Sequence, residues 1–143
     1  KYIIGICNGF QILLESKLLE GALINNNKVK FKSKQVSLNT MNYNTMFTNQ
    51  IPNDKEIVMP IAHRQGNYIA SNDTLEKLKD NNQIAFTYSK LKGGNPNGSC
   101  LDIAGIFNKK KNILGMMPHP ERASDLILGS DDGLHIFQSI LNG

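Results

Sequence analysis

A cysteine in a short glycine-flanked motif is the first residue of this chain whose type and spacing suggest chemistry. Cys7 lies in Gly5-Ile6-Cys7-Asn8-Gly9, a cysteine form of the Gly-x-nucleophile-x-Gly elbow, in which a strained strand-to-helix turn exposes a nucleophile. We expect both glycines to be required sterically and the positive end of the following helix to favour the thiolate. Asn8 would supply a backbone N–H to a developing oxyanion. Cysteine is also often a small buried hydrophobic residue, so the elbow alone leaves both roles open.

A histidine and a glutamate two residues apart could serve such a thiol. His119 and Glu121 follow an apolar stretch, and Pro118 and Pro120 favour the extended backbone in which residues two apart project to the same side. A histidine oriented by a carboxylate can take the proton of a nucleophile. A single histidine after a strand is more typical of a surface loop. Its occurrence with the cysteine elbow predicts a nucleophilic site.

Hydrophobic periodicity predicts the elements that position these residues. An apolar strand over residues 2–6 leads directly into a helix that ends at Gly21. Further strands are predicted over 56–61, 83–88, 101–107 and 112–117, with a short helix over 73–79. A last helix is expected to begin at 130–132, with one face formed by Leu134, Phe137 and Leu141. This order predicts an α/β sheet with an added β-hairpin region.

Two other segments have recognisable patterns. Residues 28–38 alternate with period two, with Val29 and Phe31 on one face and lysines on the other, which is typical of a solvated edge strand. A docking face for an acidic partner is the alternative. The run Asn95-Pro96-Asn97-Gly98 predicts a hairpin turn, and only secondarily a neighbour of the site.

Composition excludes several classes of protein. The chain has 143 residues, 40% of them hydrophobic, and a net charge of +4. Of its 16 basic residues 14 are lysines, scattered along the chain, which argues against nucleic-acid binding. No apolar run approaches the about 20 residues of a membrane span, and the start does not resemble a signal peptide. Two cysteines are too few for a disulfide framework or a zinc site, so we expect Cys100 to be structural, no metal, and a cytoplasmic location.

The motifs together resemble those of the triad, or class I, glutamine amidotransferases. The elbow continues as Cys7-Asn8-Gly9-Phe10-Gln11, and the second motif reads Gly115-Met116-Met117-Pro118-His119-Pro120-Glu121-Arg122. Two further segments match the same family, residues 95–99 and the segment from Pro60-Ile61-Ala62-His63 to Tyr68. Together the four motifs are most similar to those of the glutaminase subunits of phosphoribosylformylglycinamidine synthases. The resemblance extends over essentially the whole chain.

The resemblance implies a doubly wound, mostly parallel sheet of the flavodoxin-like class. It also implies that glutamine is hydrolysed through a γ-glutamyl thioester, and that the ammonia passes to a synthetase large subunit in purine biosynthesis. ATP and Mg²⁺ are expected on that partner, no cofactor is expected in this chain, and the complex could include a small accessory subunit. The site residues that it implies are the nucleophile Cys7, the base His119, its orienting Glu121 and, near the substrate and oxyanion, Asn8, Gly9 and Gln11.

One loop departs from the family pattern. Where family members usually have His-Gly-Glu-Gly, this chain has His63-Arg64-Gln65-Gly66. His63 and Tyr68 are therefore hypotheses for an interface or substrate loop, with a structural role for His63 favoured over a base. Alternatives stay open: a glutaminase domain serving GMP, CTP or carbamoyl phosphate synthesis, a non-catalytic regulatory module of the same fold, or a basic binding domain.

The resemblance also bears on domain extent. It identifies residues 1–143 as the C-terminal two-thirds of one class I domain that begins at the elbow strand, because βα units of about 30 residues should precede that strand. About 60 to 90 residues would carry those units and the second oxyanion donor. We expect residues 1–143 alone to be inactive and poorly stable, with the elbow strand at an uncovered edge.

Overall fold

Eight strands and three α-helices make up the computed structural model, which describes residues 1–26, 30–90 and 93–143. Short 3₁₀ turns occupy Cys100–Asp102, Pro120–Arg122 and Leu126–Leu128. The main elements, in chain order, are β1 (Ile3–Ile6), α1 (Asn8–Glu15), β2 (Ala22–Asn25), β3 (Lys32–Thr40), β4 (Ile57–His63), β5 (Gln65–Ile69), α2 (Asn72–Asp80), β6 (Ile84–Tyr88), β7 (Ile103–Phe107), β8 (Ile113–Met116) and α3 (Leu134–Asn142).

Six of the strands form one mixed sheet in the order β1-β8-β7-β6-β3-β4, and β2 and β5 form a separate antiparallel pair. The α/β class is confirmed, but the expectation of a mostly parallel sheet is corrected for the described residues. Only β1 and β8 pair in parallel, with Gly5 opposite Gly115, whereas the other neighbours in the six-stranded sheet are antiparallel. The reason lies in the connections. Parallel pairing needs a long crossover, and the five residues between β7 and β8 allow only a hairpin.

Apolar side chains cover both faces of the six-stranded sheet. One cluster joins the sheet to α3 and includes Phe86, Phe107 and Ile136. The other joins it to α1 and α2 and includes Phe10 and Leu78. Burial of each such side chain contributes about 1.5 to 3 kcal/mol. The two layers hold the strand ends that carry the candidate site in fixed positions.

Long-range packing overturns two local predictions. In α3 the buried residues are Ile136 and Ser139, while Leu141 is 82% exposed, so the predicted apolar face of this helix is wrong. The residues expected to start α3 have another role. The carboxylate of Asp132 accepts the Val58 N–H at 2.8 Å, and Ser130 Oγ donates to Val58 O at 2.9 Å. These bonds tie β4 to the segment before α3.

The lysine-bearing strand also differs from its prediction. β3 begins at Lys32 and lies between β4 and β6, so it is an inner strand, although only 38–40 pair with β6. Phe31, predicted to lie on the face opposite the lysines, is 64% exposed. Lys28 and Val29, which the prediction also included, lie outside the described residues. Within the described residues, no helix combines the length and apolarity needed to cross a membrane.

Candidate active site

The predicted elbow forms at the junction of β1 and α1. Cys7 has φ 53° and ψ −104°, a left-handed conformation that is strained for a residue with a side chain. A Cβ on Gly5 would lie 2.6 Å from Gly9 O and 2.5 Å from Leu13 Cδ1, so only glycine fits there. At Gly9 an added Cβ meets nothing within 4 Å. The steric requirement is therefore confirmed for Gly5 and wrong for Gly9, whose missing Cβ faces open space.

The parallel pairing of β1 and β8 brings the cysteine and the histidine to one edge of the sheet. The Cys7 N–H donates to Met116 O at 2.8 Å, which extends the pairing past the end of β1. Three residues later the His119 N–H donates to Pro60 O at 2.9 Å, in β4. The carboxyl ends of parallel strands meet at the same edge, where α/β proteins commonly place their ligands. We call Cys7 and His119, with their supporting turn at 120–122, the elbow side of the site.

His119 is held by the carboxylate predicted to orient it. Its Nδ1 lies 2.6 Å from Glu121 Oε1, and the ring is only 7% exposed. A carboxylate accepts, so Nδ1 carries the proton and Nε2 is left with its lone pair. Nε2 is buried and has no hydrogen-bond partner among the described residues. An imidazole in this state is ready to accept a proton from a group in the site.

The elbow side borders an open cleft of about 710 Å³. Of the predicted site residues, Asn8, Gln11 and His63 line it with Cys7 and His119, whereas Gly9, Glu121 and Tyr68 are not among its described lining residues. Gln11 Nε2 donates to Glu15 Oε1 at 2.9 Å on the surface of α1. The full lining is Ile6, Cys7, Asn8, Gln11, Asn25, Phe31, Ala62, His63, Arg64, Gln65, His119 and Arg122.

Burial raises the pKa of the Cys7 thiol, which corrects the expectation that the elbow favours the thiolate. The Asn8 N–H and the nearby Arg122 guanidinium lower that pKa, and Glu121 adds to the raising. The helix N-terminus therefore acts in the predicted direction, but loss of hydration outweighs it. Cys7 Sγ lies 3.8 Å from Ala62 O, which can accept the S–H. A base is needed to make this cysteine nucleophilic.

The end of β4 and start of β5, residues 62–65, form what we call the β4–β5 wall of the cleft. His63 in this wall is 4% exposed, and its Nε2 lies 3.4 Å from Asn97 Nδ2. Loss of hydration, with repulsion from His119 and Lys32, lowers its pKa to about 4. A Cβ on Gly66 would lie 2.2 Å from His63 Cε1. His63 is a packed, neutral ring beside the site.

A buried amide and phenol extend this polar network inward. Asn97, which is fully buried, donates from Nδ2 to Tyr88 Oη at 2.9 Å. Burial raises the pKa of Tyr88, so its hydroxyl stays protonated. The sequence motif 95–98 forms a turn as predicted, with Asn95 Oδ1 accepting from Gly98 N at 2.9 Å. Asn97 also lies beside the site, because its Nδ2 is close to His63 Nε2.

Tyr68 is a core residue. Its ring is fully buried and stacks on Phe10 at 6.1 Å, and its hydroxyl donates to Glu20 O at 2.6 Å. These contacts tie β5 to α1 and to the turn before β2. Tyr68 thus anchors β5 from within the core, and the hypothesis that its loop contacts a substrate or an interface stays a prediction.

Several cleft residues carried no signal in the sequence. Asn25 is the last residue of β2 and Phe31 directly precedes β3. The apolar patterns there predicted neither the β2–β5 pairing nor an exposed aromatic ring. Arg122 could have been found, because it follows Glu121 directly. Among the described residues, no group of three or more His, Cys, Asp or Glu side chains is arranged to hold a metal ion, and both cysteines are free thiols.

Comparison with solved structures supports the same fold. The chain is similar to a chain of the PurLQS structure from Thermotoga maritima, with 43% identity and a TM-score of 0.86 over 99% of this chain and 61% of that one. It also resembles a GMP synthase subunit protein from Thermoplasma acidophilum, with 17% identity, TM-score 0.64 and 99% and 56% coverage. The Trypanosoma brucei CTPS glutaminase domain with bound acivicin has 12% identity, TM-score 0.59 and 99% and 60% coverage. The last two likenesses concern the fold alone.

These likenesses confirm the predicted class I glutamine amidotransferase fold, and the chain spans about three-fifths of the length of the Thermotoga protein. A family model of the CobB/CobQ-like glutamine amidotransferase domain matches residues 1–132, which include the elbow, the β4–β5 wall and the His119 motif. The chain belongs to the CobB/CobQ-like glutamine amidotransferase domain family.

Proposed function

We propose that this chain hydrolyses glutamine to glutamate and ammonia, and that it is the glutaminase part of a phosphoribosylformylglycinamidine synthase. The observation that carries the proposal is the elbow side, where a strained cysteine and a carboxylate-held histidine border one cleft. The 43% identity to the Thermotoga maritima PurLQS chain supports the choice of synthase. A purely regulatory module of this fold would need neither the strain at Cys7 nor the free Nε2 of His119.

In the first step Cys7 Sγ attacks the amide carbon of the glutamine side chain. The S–H proton moves to His119 Nε2, and a carbon–sulfur bond forms. Glu121 stabilises the imidazolium that results, because its carboxylate accepts the hydrogen bond from Nδ1–H and stays ionised. The carbonyl oxygen gains negative charge, for which the N–H of Asn8 is a suitable donor. When the carbon–nitrogen bond breaks, His119 returns its proton to the leaving nitrogen and ammonia departs.

In the second step water hydrolyses the γ-glutamyl thioester. His119, neutral again, takes a proton from the water as its oxygen attacks the thioester carbon. The carbon–sulfur bond breaks, glutamate is released and the thiolate regains a proton from His119. The raised pKa of Cys7 makes this base essential, since burial leaves little free thiolate at neutral pH. Each proton taken up by His119 is returned within the same half-reaction.

The ammonia would pass to a synthetase large subunit, where ATP and Mg²⁺ drive amidine formation in purine biosynthesis. Ammonia released into water near neutral pH becomes ammonium, which is not a nucleophile, so direct transfer is an advantage. A gating partner would limit wasteful hydrolysis. The proposal includes no cofactor in this chain, a small accessory subunit in the complex, and a cytoplasmic location, where reducing conditions keep Cys7 as a thiol.

Covalent labelling of the intact protein with an electrophilic glutamine analogue tests the glutaminase chemistry. We expect one adduct, located on the peptide that contains Cys7, and none in the Cys7→Ser variant. Labelling of another residue, or labelling that persists in Cys7→Ser, would exclude the thioester mechanism. Stimulation of glutamine hydrolysis by the synthetase subunit with formylglycinamide ribonucleotide tests the assignment to this synthase. An absence of stimulation would favour another ammonia acceptor.

A further inference from the structure

Among the described residues that line the cleft, the charged side chains are arginines. The sequence has only two arginines, Arg64 and Arg122, and both line the cleft with Cys7. No aspartate or glutamate is among these described lining residues. Lysines make up the rest of the basic residues, so the placement of both guanidinium groups here is not a consequence of overall charge. The lining favours a ligand with an anionic group.

The two arginines differ in their partners. Arg122 Nε lies 3.7 Å from Glu121 Oε1, and its charge acts on the Cys7 thiol. Arg64 has no ion pair and its side chain has no hydrogen bond in the part of the chain that the structure describes. Its backbone is nevertheless fixed, because Arg64 O accepts the Asn26 N–H at 3.1 Å. Arg64 therefore offers an unused guanidinium on a well-held segment.

The position of Arg64 relative to Cys7 suits an amino-acid substrate that has a reacting group at one end and a carboxylate at the other. Ala62 O lies 3.8 Å from Cys7 Sγ, and Arg64 comes two residues later. Arg64 lies in the bend between β4 and β5, and it lines the same cleft as Cys7. In glutamine, three carbons separate the amide carbon that Cys7 attacks from the α-carboxylate. A substrate lying along the β4–β5 wall would thus bring its carboxylate within reach of the long Arg64 side chain.

We propose that Arg64 binds the α-carboxylate of the amino-acid substrate and so selects a free amino acid. The inference rests on the proposed glutaminase function. A guanidinium can donate two parallel N–H bonds to a carboxylate, which lysine cannot. Arg64 stands where the resemblance places a glycine, so this contact is a property of this chain. Arg122 remains beside the reacting sulfur, where it favours negative charge.

Ligand binding to the intact protein with Cys7→Ser, which binds but does not turn over, tests the proposal. L-Glutamine is compared with its α-amide, which lacks the carboxylate, in Arg64 and Arg64→Ala backgrounds by calorimetry. We expect glutamine affinity to fall about 10- to 100-fold in Arg64→Ala, while affinity for the α-amide stays the same. Arg64→Lys should retain part of the affinity. Equal losses for both ligands, or no loss, would overturn the proposal.

Kinetics of the parent protein separate this inference from the proposed function. In Arg64→Ala, KM for glutamine should rise about 10- to 100-fold with kcat within about twofold. Lys110→Ala, which removes one exposed charge from the β7–β8 connection, is the matched control and should leave KM unchanged. Glutamine hydrolysis with an unchanged KM in Arg64→Ala overturns the role of Arg64 alone. Absence of both glutamine hydrolysis and glutamine binding in the parent overturns both proposals.

Discussion

On the elbow side of the cleft His119 meets a carboxylate, whereas on the β4–β5 wall His63 meets an amide. The Nδ1 of His119 lies 2.6 Å from Glu121 Oε1, and the Nε2 of His63 lies 3.4 Å from Asn97 Nδ2. Both rings are buried. A carboxylate stabilises the imidazolium that forms when a histidine accepts a proton, and an amide does not, so the contacts favour His119 over His63 as the proton acceptor. Burial alone does not distinguish a base from a packing residue.

The largest effect is expected at the nucleophile. Cys7→Ala should lower the rate of glutamine hydrolysis by about 10⁴-fold or more, because no thioester can form. Cys100→Ala, the matched change at the other cysteine, should retain most of the activity. A steady-state assay of ammonia release with the intact protein compares the two. Comparable losses in both variants would contradict the assignment of Cys7.

The two histidines provide the direct test of the comparison. His119→Asn should lower kcat by about 10² to 10⁴-fold, since it removes the proton acceptor from the site. His63→Asn should change kcat by less than about tenfold, because His63 holds no transferable proton at neutral pH. The same ammonia assay with both variants measures the ratio. A larger loss in His63→Asn than in His119→Asn would reverse the two roles.

Two glycines of the elbow should respond very differently to a methyl group. Gly5→Ala is expected to destabilise the protein by about 1 to 3 kcal/mol, since its Cβ would meet the backbone of Gly9 at 2.6 Å. Gly9→Ala should change stability by no more than about 0.5 kcal/mol, because its Cβ would enter open space. Urea unfolding of both variants gives the free energies. Equal destabilisation would show that the elbow packs differently.

The burial of His63 should make the stability of the protein depend on pH. Its folded pKa of about 4 lies below the ordinary value of 6.5, so the unfolded chain binds the proton first. The free energy of unfolding should therefore fall as the pH drops from 6.5 towards 4, by about 2 kcal/mol between pH 7 and pH 5. Urea unfolding at both pH values should show a smaller loss in His63→Gln. An identical pH dependence in this variant would contradict the buried neutral ring.

Local chemistry made the elbow side predictable from the sequence. The Cys7 motif and the 118–122 motif each fix their own backbone, and the βα order of the first helix follows from periodicity. The β4–β5 wall was not predictable in the same way. Tyr68 is buried because α1 packs on β5, and Phe31, which directly precedes β3, is exposed at the cleft. These positions depend on contacts between distant segments.

The direction of the Cys7 pKa shift could not be predicted from the neighbouring residues either. The helix N-terminus predicts a lowered value, and the Asn8 N–H does act in that direction. The sulfur also contacts Ala62 O in β4, and Cys7 packs against the apolar cluster that includes Phe10, and the residues around position 7 do not predict this packing. The balance between burial and the N–H determines whether the thiol needs a base to become nucleophilic. In this chain burial outweighs the N–H, and the proposed mechanism therefore assigns the proton of the thiol to His119.

Rapid acid quenching of the intact protein during glutamine turnover, followed by mass spectrometry of its peptides, tests the central claim most directly. The account predicts one γ-glutamyl group, attached to the peptide that contains Cys7 and released by hydroxylamine as a thioester should be. His119→Asn should accumulate far less of it, because the thiol keeps its proton. Glutamine turnover without an acyl group on Cys7, or with the acyl group on another residue, would contradict the account.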